Sequence, residues 1–554
     1  MSTQSERSSV ERVKEQSRHL RGAILEELEL PTPNFSKETV QILKFHGVYQ
    51  QTDRDARKAG VTGSGSMVRV GIPGGVLSPE QYLLLDRLAD EVGDGGLRIT
   101  TRQDAQFHRT RKADLRYLIS TLNRNLLTTL AACGDVVRNT TCCPAPHSDP
   151  VRAELQRRAL ALSRRLKPKT RAYYEIWMDG EKAAAAETEE EPLYGDCYLP
   201  RKFKIGFAPP GDNCIDVYSN DVGLVPVCRG ETIQAYTLLA GGGLGMSPGA
   251  KATHPRLADP ICTVPPELLE DAVEACVTIH RDYGNRSNRK FARLKYVLED
   301  WGVERFRKEL EARLGTELAP PAKLEWNKGA DHLGWQRQDD TCLYLGLHVP
   351  SGRIRGPLRD CLREIVSEFQ PGVRFTCHQN VLLTGIPADR RAEIDNLLRR
   401  YGASMPSELP PVIQEALACP ALPTCGLAIT EAERAMPDIL ADIERTLREV
   451  GLDGLPVTVR VTGCPNGCAR PYTAEIGIVG QSVDMYALYL GGSHLSLRIG
   501  ALFTDRVRRE EIGAALRSAF VLFRERRNPG ERFGDFCHRV GVAALRGAAV
   551  EAPA

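Results

Sequence analysis

No run of apolar residues in this 554-residue chain approaches the length of a membrane-spanning helix. The N-terminal stretch MSTQSERSSVERVKEQSRHLRG is polar and carries both charge signs. It lacks the apolar core of a secretory signal, and its acidic residues argue against an organellar transit peptide. A soluble, cytoplasmic protein with no membrane partner is expected. Neither charge is in surplus: 73 Lys and Arg face 71 Asp and Glu, for a formal net charge of +2. Nothing global points to nucleic acid, so any electrostatic function must be local. The glycine-rich runs at 241–245 and 491–492 do not open a βαβ unit with GxGxxG spacing, which excludes a nicotinamide- or flavin-binding segment of that kind.

What is present is cysteine, sixteen in all. With no export signal, a disulfide framework is not expected. Four of the sixteen form two short pairs: Cys419 and Cys425 in ACPALPTCG, and Cys464 and Cys468 in VTGCPNGCARP. Four thiolates delivered as two loops suit a cubane iron–sulfur cluster, in which each iron takes one terminal sulfur. Pro465, Asn466 and Gly467 bend the second loop, so both its sulfurs face one centre. Structural zinc also takes four cysteines, but its usual pair spacing is two to four residues, and the first pair here has five between. Cysteines that are simply buried remain a third reading, and it is the expected one for most of the other twelve.

The chain also repeats itself. Gly96 to Asp104 (GLRITTRQD) returns as Gly372 to Asn380 (GVRFTCHQN), an offset of 276, and Cys143-Pro144-Ala145 returns as Cys419-Pro420-Ala421 at the same offset. Pro73 has a counterpart at Pro350, shifted by one. Asp221 to Val225 resembles Glu475 to Val479, and each is followed by a Tyr-x-Leu strand that runs into glycines. Four matches in the same order indicate duplication, with the halves paired about a pseudo-two-fold axis and a cleft between them. Only the second half has both cysteine pairs. The first keeps Cys143 and shows Leu199 to Lys204 (LPRKFK) where a second pair is expected, so one copy is read as specialised for metal and the other for charge.

A chain this long needs two to four domains. Short β-rich runs (MVRVGI, LRITT, TCLYLGLHV, VRFTC, VTVRVTG) alternate with helical patterns over 79–92, 153–166, 266–281, 431–450 and 510–525. The Ala- and Glu-rich stretch 181–191 reads as an exposed connection. The fold class is α+β: an internally duplicated, multi-domain architecture of mixed sheets with flanking helices.

These motifs, together with KFHGVYQQTDRD, TTRQDAQFH, VVRNTTC, RDYGNR and FGDF, resemble the sulfite/nitrite reductase family, whose members bind sirohaem and a 4Fe-4S cluster. Within it the likeness is to the assimilatory sulfite-reducing haemoproteins, and it covers almost the whole chain. It implies ferredoxin-like half domains at 1–147 and 336–410, a sirohaem and substrate domain at 148–335, and a cluster and sirohaem domain at 411–554. It implies one cluster on Cys419, Cys425, Cys464 and Cys468, with Cys468 bridging to the iron of one sirohaem. The family's anion-binding residues fall on Arg69, Arg138, Lys202 and Lys204. Arginine offers a planar fork to oxyanion oxygens, and lysine a mobile charge that assists protonation. Lys202 and Lys204 alternate along an extended segment and share one face. Arg98, Arg102, Gln106 and His108 are candidates for the sirohaem carboxylate shell, with Arg281 to Lys290 as further cations. Strand pairing and helix capping are their ordinary alternative roles.

The implied reaction is the six-electron reduction of sulfite to sulfide for cysteine biosynthesis. Ferredoxin-dependent reduction of nitrite to ammonia is the alternative, and a non-catalytic zinc- or cluster-binding protein the remote one. Family nitrite reductases typically carry Asn where this chain has Lys204, which favours sulfite. Electrons must come from a partner: an NADPH-oxidising flavoprotein subunit carrying FAD and FMN, or a ferredoxin. The N-terminal LRGAILEEL resembles the NADPH-linked type. Tyr49 and Cys133 match positions that some ferredoxin-type members join covalently.

Overall fold

A computed structural model of the chain describes residues 7–60, 65–146, 148–179, 191–250 and 252–551, the last five without side chains. Most of the stretch expected as an exposed connection, 181–190, lies outside the described residues.

The duplication is expressed as two pairs of matching sheets. The first sheet runs Val48–Gln51, Gly65–Val70, Ala105–Thr110, Leu97–Ile99 and ends on Arg353–Ile354; its counterpart runs Gly334–Arg337, Cys342–Leu347, Val381–Pro387, Gly372–Phe375 and ends on Val76–Leu77. Each copy therefore donates a two-residue strand to the sheet of the other. The crossings are antiparallel, with Arg353 opposite Arg98 and Arg374 opposite Val76.

Glutamine side chains fasten this exchange. Gln103 and Gln379 occupy equivalent positions and both are left-handed, at φ 61° and 69°. Gln103 Nε2 donates to the carbonyls of Phe375 and Gly74 at 2.9 and 3.0 Å; Gln379 Nε2 donates to those of Ile99 and Ser351 at 3.3 and 3.4 Å. The Gly75 backbone has φ 77° and passes so close that a Cβ there would meet the Phe375 oxygen at 2.2 Å, which reserves the position for glycine.

Helices Pro79–Glu91 and Gly356–Phe369 pack on one another across the same boundary. The first is opened by a capping box between Ser78 and Gln81 with Pro79 at its first turn, and it buries Tyr82, Leu85, Leu88 and Ala89 at helical spacing. Arg359 of the second is buried and donates to Asp86 and Asp90, both at 2.6 Å, and to the Gly95 carbonyl at 2.9 Å.

The second pair of sheets is built alike: Asp259–Val264, Thr232–Ala240, Val222–Arg229, Ile205–Phe207, Thr141–Cys142 in one, and Ala501–Arg508, Met485–Leu490, Ile476–Ser482, Val459–Thr462, Leu417–Ala418 in the other. In both, parallel pairing at one edge gives way to antiparallel hairpins. Thr141–Cys142 precedes residue 147 in the chain yet runs in this sheet, so sheet and chain boundaries do not coincide.

The register corrects one expectation. Thr141 pairs with Gly206 as Leu417 pairs with Arg460, and Ile205 pairs with Val222 as Val459 pairs with Ile476. Lys204 is thus the counterpart of Thr458: the Lys204 amide donates to Asp221 and the Thr458 amide to Glu475, both at 2.9 Å. The segment Leu199 to Lys204 does not stand where a second cysteine pair would. That place belongs to the loop 210–214, with Cys214 equivalent to Cys468. The offset falls from 276 to 254 between the two strands, which hides the match in the sequence.

Replacing Arg359 by Ala leaves buried Asp86 with only the more exposed Arg363 as ion-pair partner, a loss of about 3 kcal/mol. We expect R359A to lower the thermal unfolding midpoint far more than R390A at an exposed ion pair; equal midpoints would show that the inter-copy contact contributes little.

Candidate functional site

The loop that carries Cys464 and Cys468 follows the buried strand Val459–Thr462 directly, so the strand fixes where both sulfurs start. Gly467 makes the bend at φ 64°, seated against the Tyr472 ring, and the Tyr472 hydroxyl donates to the Pro465 carbonyl at 2.9 Å. The first copy holds this loop from outside. Thr101 Oγ1 donates to the Cys468 carbonyl at 3.1 Å, and the Met246 amide to the Pro465 carbonyl at 2.9 Å. The Cys425 loop is held similarly: Arg54 donates to the carbonyls of Ala428 and Gly426 at 2.9 and 3.1 Å.

The four cysteines face a common space, and each of the other three sulfurs feels the charge of Cys468. Cys419 and Cys464 are buried, Cys425 is intermediate and Cys468 is exposed. Burial pushes the Cys464 thiol up to about 11, and the neighbouring thiolate of Cys468 adds to the rise. Such crowded, disfavoured thiolates are those a metal centre would relieve. Backbone and side-chain donors already aim at them: the Gly463 amide at Cys419 Sγ, 3.4 Å, and Asn466 Nδ2 at Cys464 Sγ, 3.5 Å. Among the described residues, these sulfurs do not form a set with all atoms within 4.8 Å of one another. Thiolates on one tetrahedral zinc would sit about 3.8 Å apart. The donor set fits a multi-iron cluster better than a single ion.

Cys468 opens onto a cleft whose wall is basic: Arg201, Lys202, Lys204, Arg289, Lys290, Arg293 and Lys295 line it together with Asn466, Gly467 and Arg470. Lys202 and Lys204 do share one face. Phe203 between them is fully buried, and the segment is pinned as an extended bridge by the Phe203 amide on the Val136 carbonyl, 3.0 Å, and the Arg138 amide on the Phe203 carbonyl, 2.8 Å. Both lysines are partly exposed, yet loss of water around Lys202 pushes its ammonium down to about 7, with Arg201 adding to the drop and Cys468 opposing it. Lys204 falls well below the ordinary lysine range through burial and through Arg102 and Lys202.

Arg69 and Arg138 belong to the same electrostatic neighbourhood. Burial disfavours the Arg69 charge, but Cys133, Asp104, Tyr49 and Cys468 more than offset it. Gln106, with its amide oriented to accept, takes two N–H groups of Arg69 at 2.7 and 3.2 Å. Arg138 is anchored through Gly134 and Ala132 carbonyls at 2.8 and 3.1 Å. Tyr49 hydrogen-bonds Cys133 and its phenol is pushed up by burial and by that thiol.

The candidates for a carboxylate shell divide. Arg98 is buried and committed to Glu433 at 3.1 Å and the Ala418 carbonyl at 3.0 Å. Arg102 gives its terminal nitrogens to Asn220, Asn139 and Ile205, while its buried Nε has no protein partner. His108 is buried, its Nε2 lacks a protein partner, and burial with nearby arginines keeps the ring neutral. Of the stretch 281–290, Arg289 and Lys290 reach the cleft, whereas Arg281 and Arg286 secure loops through the carbonyls of Leu193 and Tyr198. Sequence reasoning missed Arg293 and Lys295, which extend the same basic run a few residues beyond the motif. A wall of this charge suits a ligand with many carboxylates.

Residues 60–125 and 336–401 match the family described as nitrite/sulfite reductase ferredoxin-like half domain, and residues 160–318 and 412–553 match the nitrite and sulphite reductase 4Fe-4S domain. The chain is 44% identical to a ferredoxin-type sulfite reductase of Synechococcus elongatus, over 97% of this chain and 90% of that protein. It is 43% identical to an NADPH-type sulfite reductase hemoprotein beta-component of Myxococcus xanthus, over 96% of both. Its fold matches the structure of the Mycobacterium tuberculosis NirA protein with a TM-score of 0.81 at 24% identity, covering 98% of each. The repeated half domains, the paired sheets and these relatives agree, and the chain belongs to the nitrite and sulphite reductase family of oxidoreductases.

Proposed function

We propose that this chain is the haemoprotein of an assimilatory sulfite reductase, reducing sulfite to sulfide for cysteine biosynthesis. The observation that carries it is the basic wall that Lys202 and Lys204 share with Cys468, with Arg69 within reach of the Cys468 charge and Arg138 within reach of Lys202. Cys419, Cys425, Cys464 and Cys468 would hold one 4Fe-4S cluster, and Lys290 and Arg293 with the Nε of Arg102 would meet the carboxylates of one sirohaem, while Lys295 holds the Gly243 and Gly245 carbonyls at 3.0 and 3.1 Å. When bound, these groups supply a thiolate-linked path for the six electrons that sulfite requires.

The protein's own part is charge and protons. A dianion entering the cleft meets cations whose partial burial weakens solvent screening, which raises its local concentration and fixes its orientation. Arg69 and Arg138 are held from behind by Gln106 and by backbone carbonyls, so their forks are pre-aimed. Each oxygen leaves as water, and Lys202 Nζ, with its proton affinity brought near neutrality, is placed to donate. The chain would divide at 147, 335 and 410, with Thr141–Cys142 crossing from the first division into the sheet of the second.

The donor is a separate protein, since no dinucleotide-binding segment occurs in the sequence. Relatives are named for both ferredoxin and NADPH, and turnover with a ferredoxin against a flavoprotein reductase distinguishes them. Purified protein should show a Soret band and the long-wavelength bands of sirohaem; their absence overturns the reading. C468S should abolish the magnetic coupling between haem and cluster, and unchanged coupling would mean that the bridge is misassigned. K204N should lower kcat/KM for sulfite roughly tenfold more than for nitrite, the worth of about one charge-assisted hydrogen bond. Equal losses would remove Lys204 as a discriminator. A tryptic map is expected to return the Tyr49 and Cys133 peptides joined; separate, unmodified peptides would end that part of the reading.

A further inference from the structure

The loop 210–214, which the register places opposite the Cys464–Cys468 loop, carries ligands of its own. Cys143 follows the strand Thr141–Cys142 as Cys419 follows Leu417–Ala418, and Cys214 takes the place of Cys468. Two residues beyond each, Asp216 and Arg470 are both left-handed, at φ 51° and 57°, and each opens a short 3-10 turn, so the two loops end in the same backbone turn. Cys143 and Cys214 are 1% exposed, and Asp212 and His332, 3% exposed, close the group. Among the described residues, Cys143, Asp212, Cys214 and His332 form a set with one ligand atom each, all within 4.8 Å of one another.

We propose that this set binds one zinc ion, giving the first copy a mononuclear metal site where the second has its cluster loops. The three edges among Cys143, Asp212 and His332 are close to those of a tetrahedron around a single ion, with Cys214 Sγ within 4.8 Å of each. With metal–ligand bonds of about 2.3 Å to sulfur and about 2.0–2.2 Å to nitrogen and oxygen, the edges come to about 3.6 Å for sulfur to nitrogen or oxygen and about 3.4 Å for nitrogen to oxygen. The observed edges are 3.5 Å from Cys143 Sγ to His332 Nε2, 3.9 Å from Cys143 Sγ to Asp212 Oδ2, and 3.3 Å from His332 Nε2 to Asp212 Oδ2.

Two thiolates and a carboxylate carry three negative charges against the two positive charges of zinc, and Arg152, which also pairs with Asp149 at 2.5 Å, lies 3.4 Å from Asp212 Oδ2. The surroundings are apolar, with Ile215, Val217 and Leu239 in the same buried cluster. The Cys214 amide donates to Asp212 Oδ1 at 3.1 Å and orients the carboxylate. Soft sulfur with imidazole selects zinc over magnesium or calcium, and binding releases the two thiol protons without any redox change.

The ion would act as a staple. Cys143 and Cys214 belong to the first copy, while His332 lies on the segment leading into the strand Gly334–Arg337 of the second ferredoxin-like sheet. The strand Trp326–Lys328, just ahead of it, already pairs in parallel with Gly211–Asp212.

The test uses full-length holoenzyme equilibrated with zinc chloride, desalted and measured by elemental analysis. About one zinc per chain is expected, with zinc-edge absorption showing two sulfur neighbours near 2.3 Å and two nitrogen or oxygen neighbours near 2.0–2.1 Å. A C214S/H332Q double variant should lose the zinc while keeping its iron content and haem spectrum. Wild-type protein that takes up no zinc, or holds it through nitrogen and oxygen alone, overturns the proposal. So does an intact mass two daltons low that maps to a Cys143–Cys214 disulfide. The absorption measurement on wild-type protein decides the matter even if the variant does not fold.

Discussion

Asp216 and Arg470 are equivalent residues of the two copies, and they form an ion pair with each other. Each sits two residues beyond a cysteine, Cys214 in one loop and Cys468 in the other. The pair is almost fully buried, with Arg460 adding a second guanidinium at 2.8 Å. Burial opposes the Asp216 charge, but Arg460 and Arg470 hold its carboxyl well below the usual carboxylate range. A charge left alone at this depth would cost several kcal/mol, so the three must stay together. Arg470 then spends its other donors on the Thr101 and Cys377 carbonyls, 3.2 and 2.9 Å away. Position in both cysteine loops therefore depends on one contact at the pseudo-two-fold axis.

The basic cleft raises the opposite problem, since a wall of cations repels itself. Buried carboxylates one layer back relieve it. Asp221 accepts from Arg293 at 2.8 and 3.1 Å, and Asp135 is shared by Arg289, Lys14 and Arg201. Among the described residues, Lys202 and Lys204 have no such carboxylate on their ammonium groups: Asp221 meets Lys204 through its backbone amide. Positive charge is thus fixed where arginines position an anion and negotiable where lysines move protons.

Much of this was legible in the sequence. The repeat around Gln103 and Gln379 was visible because a left-handed glutamine that fastens the opposite copy tolerates few substitutes. The cysteine pairs and the alternation around Phe203 were legible because their chemistry is local. The exchanged strands were not, since two residues, such as Val76–Leu77, carry no periodicity. Nor was the role of Arg98, whose partner Glu433 lies 335 residues away and also grips Arg353 on the strand beside it. The set around Cys143 escaped for a different reason. Its ligands come from three segments, and a shorter connection in the second copy breaks the offset between the two strands that would have revealed them.

The exchanged strands bear on how the chain is made. During synthesis the first ferredoxin-like sheet is complete except for Arg353–Ile354, which emerges some 250 residues after Leu97–Ile99. Until then that sheet has an open edge able to pair with any passing strand. The Cys468 loop in turn finds Thr101 only after both copies have docked. The Cys468 loop therefore takes its final setting after docking, and the nascent first half carries its open edge until the second has been made.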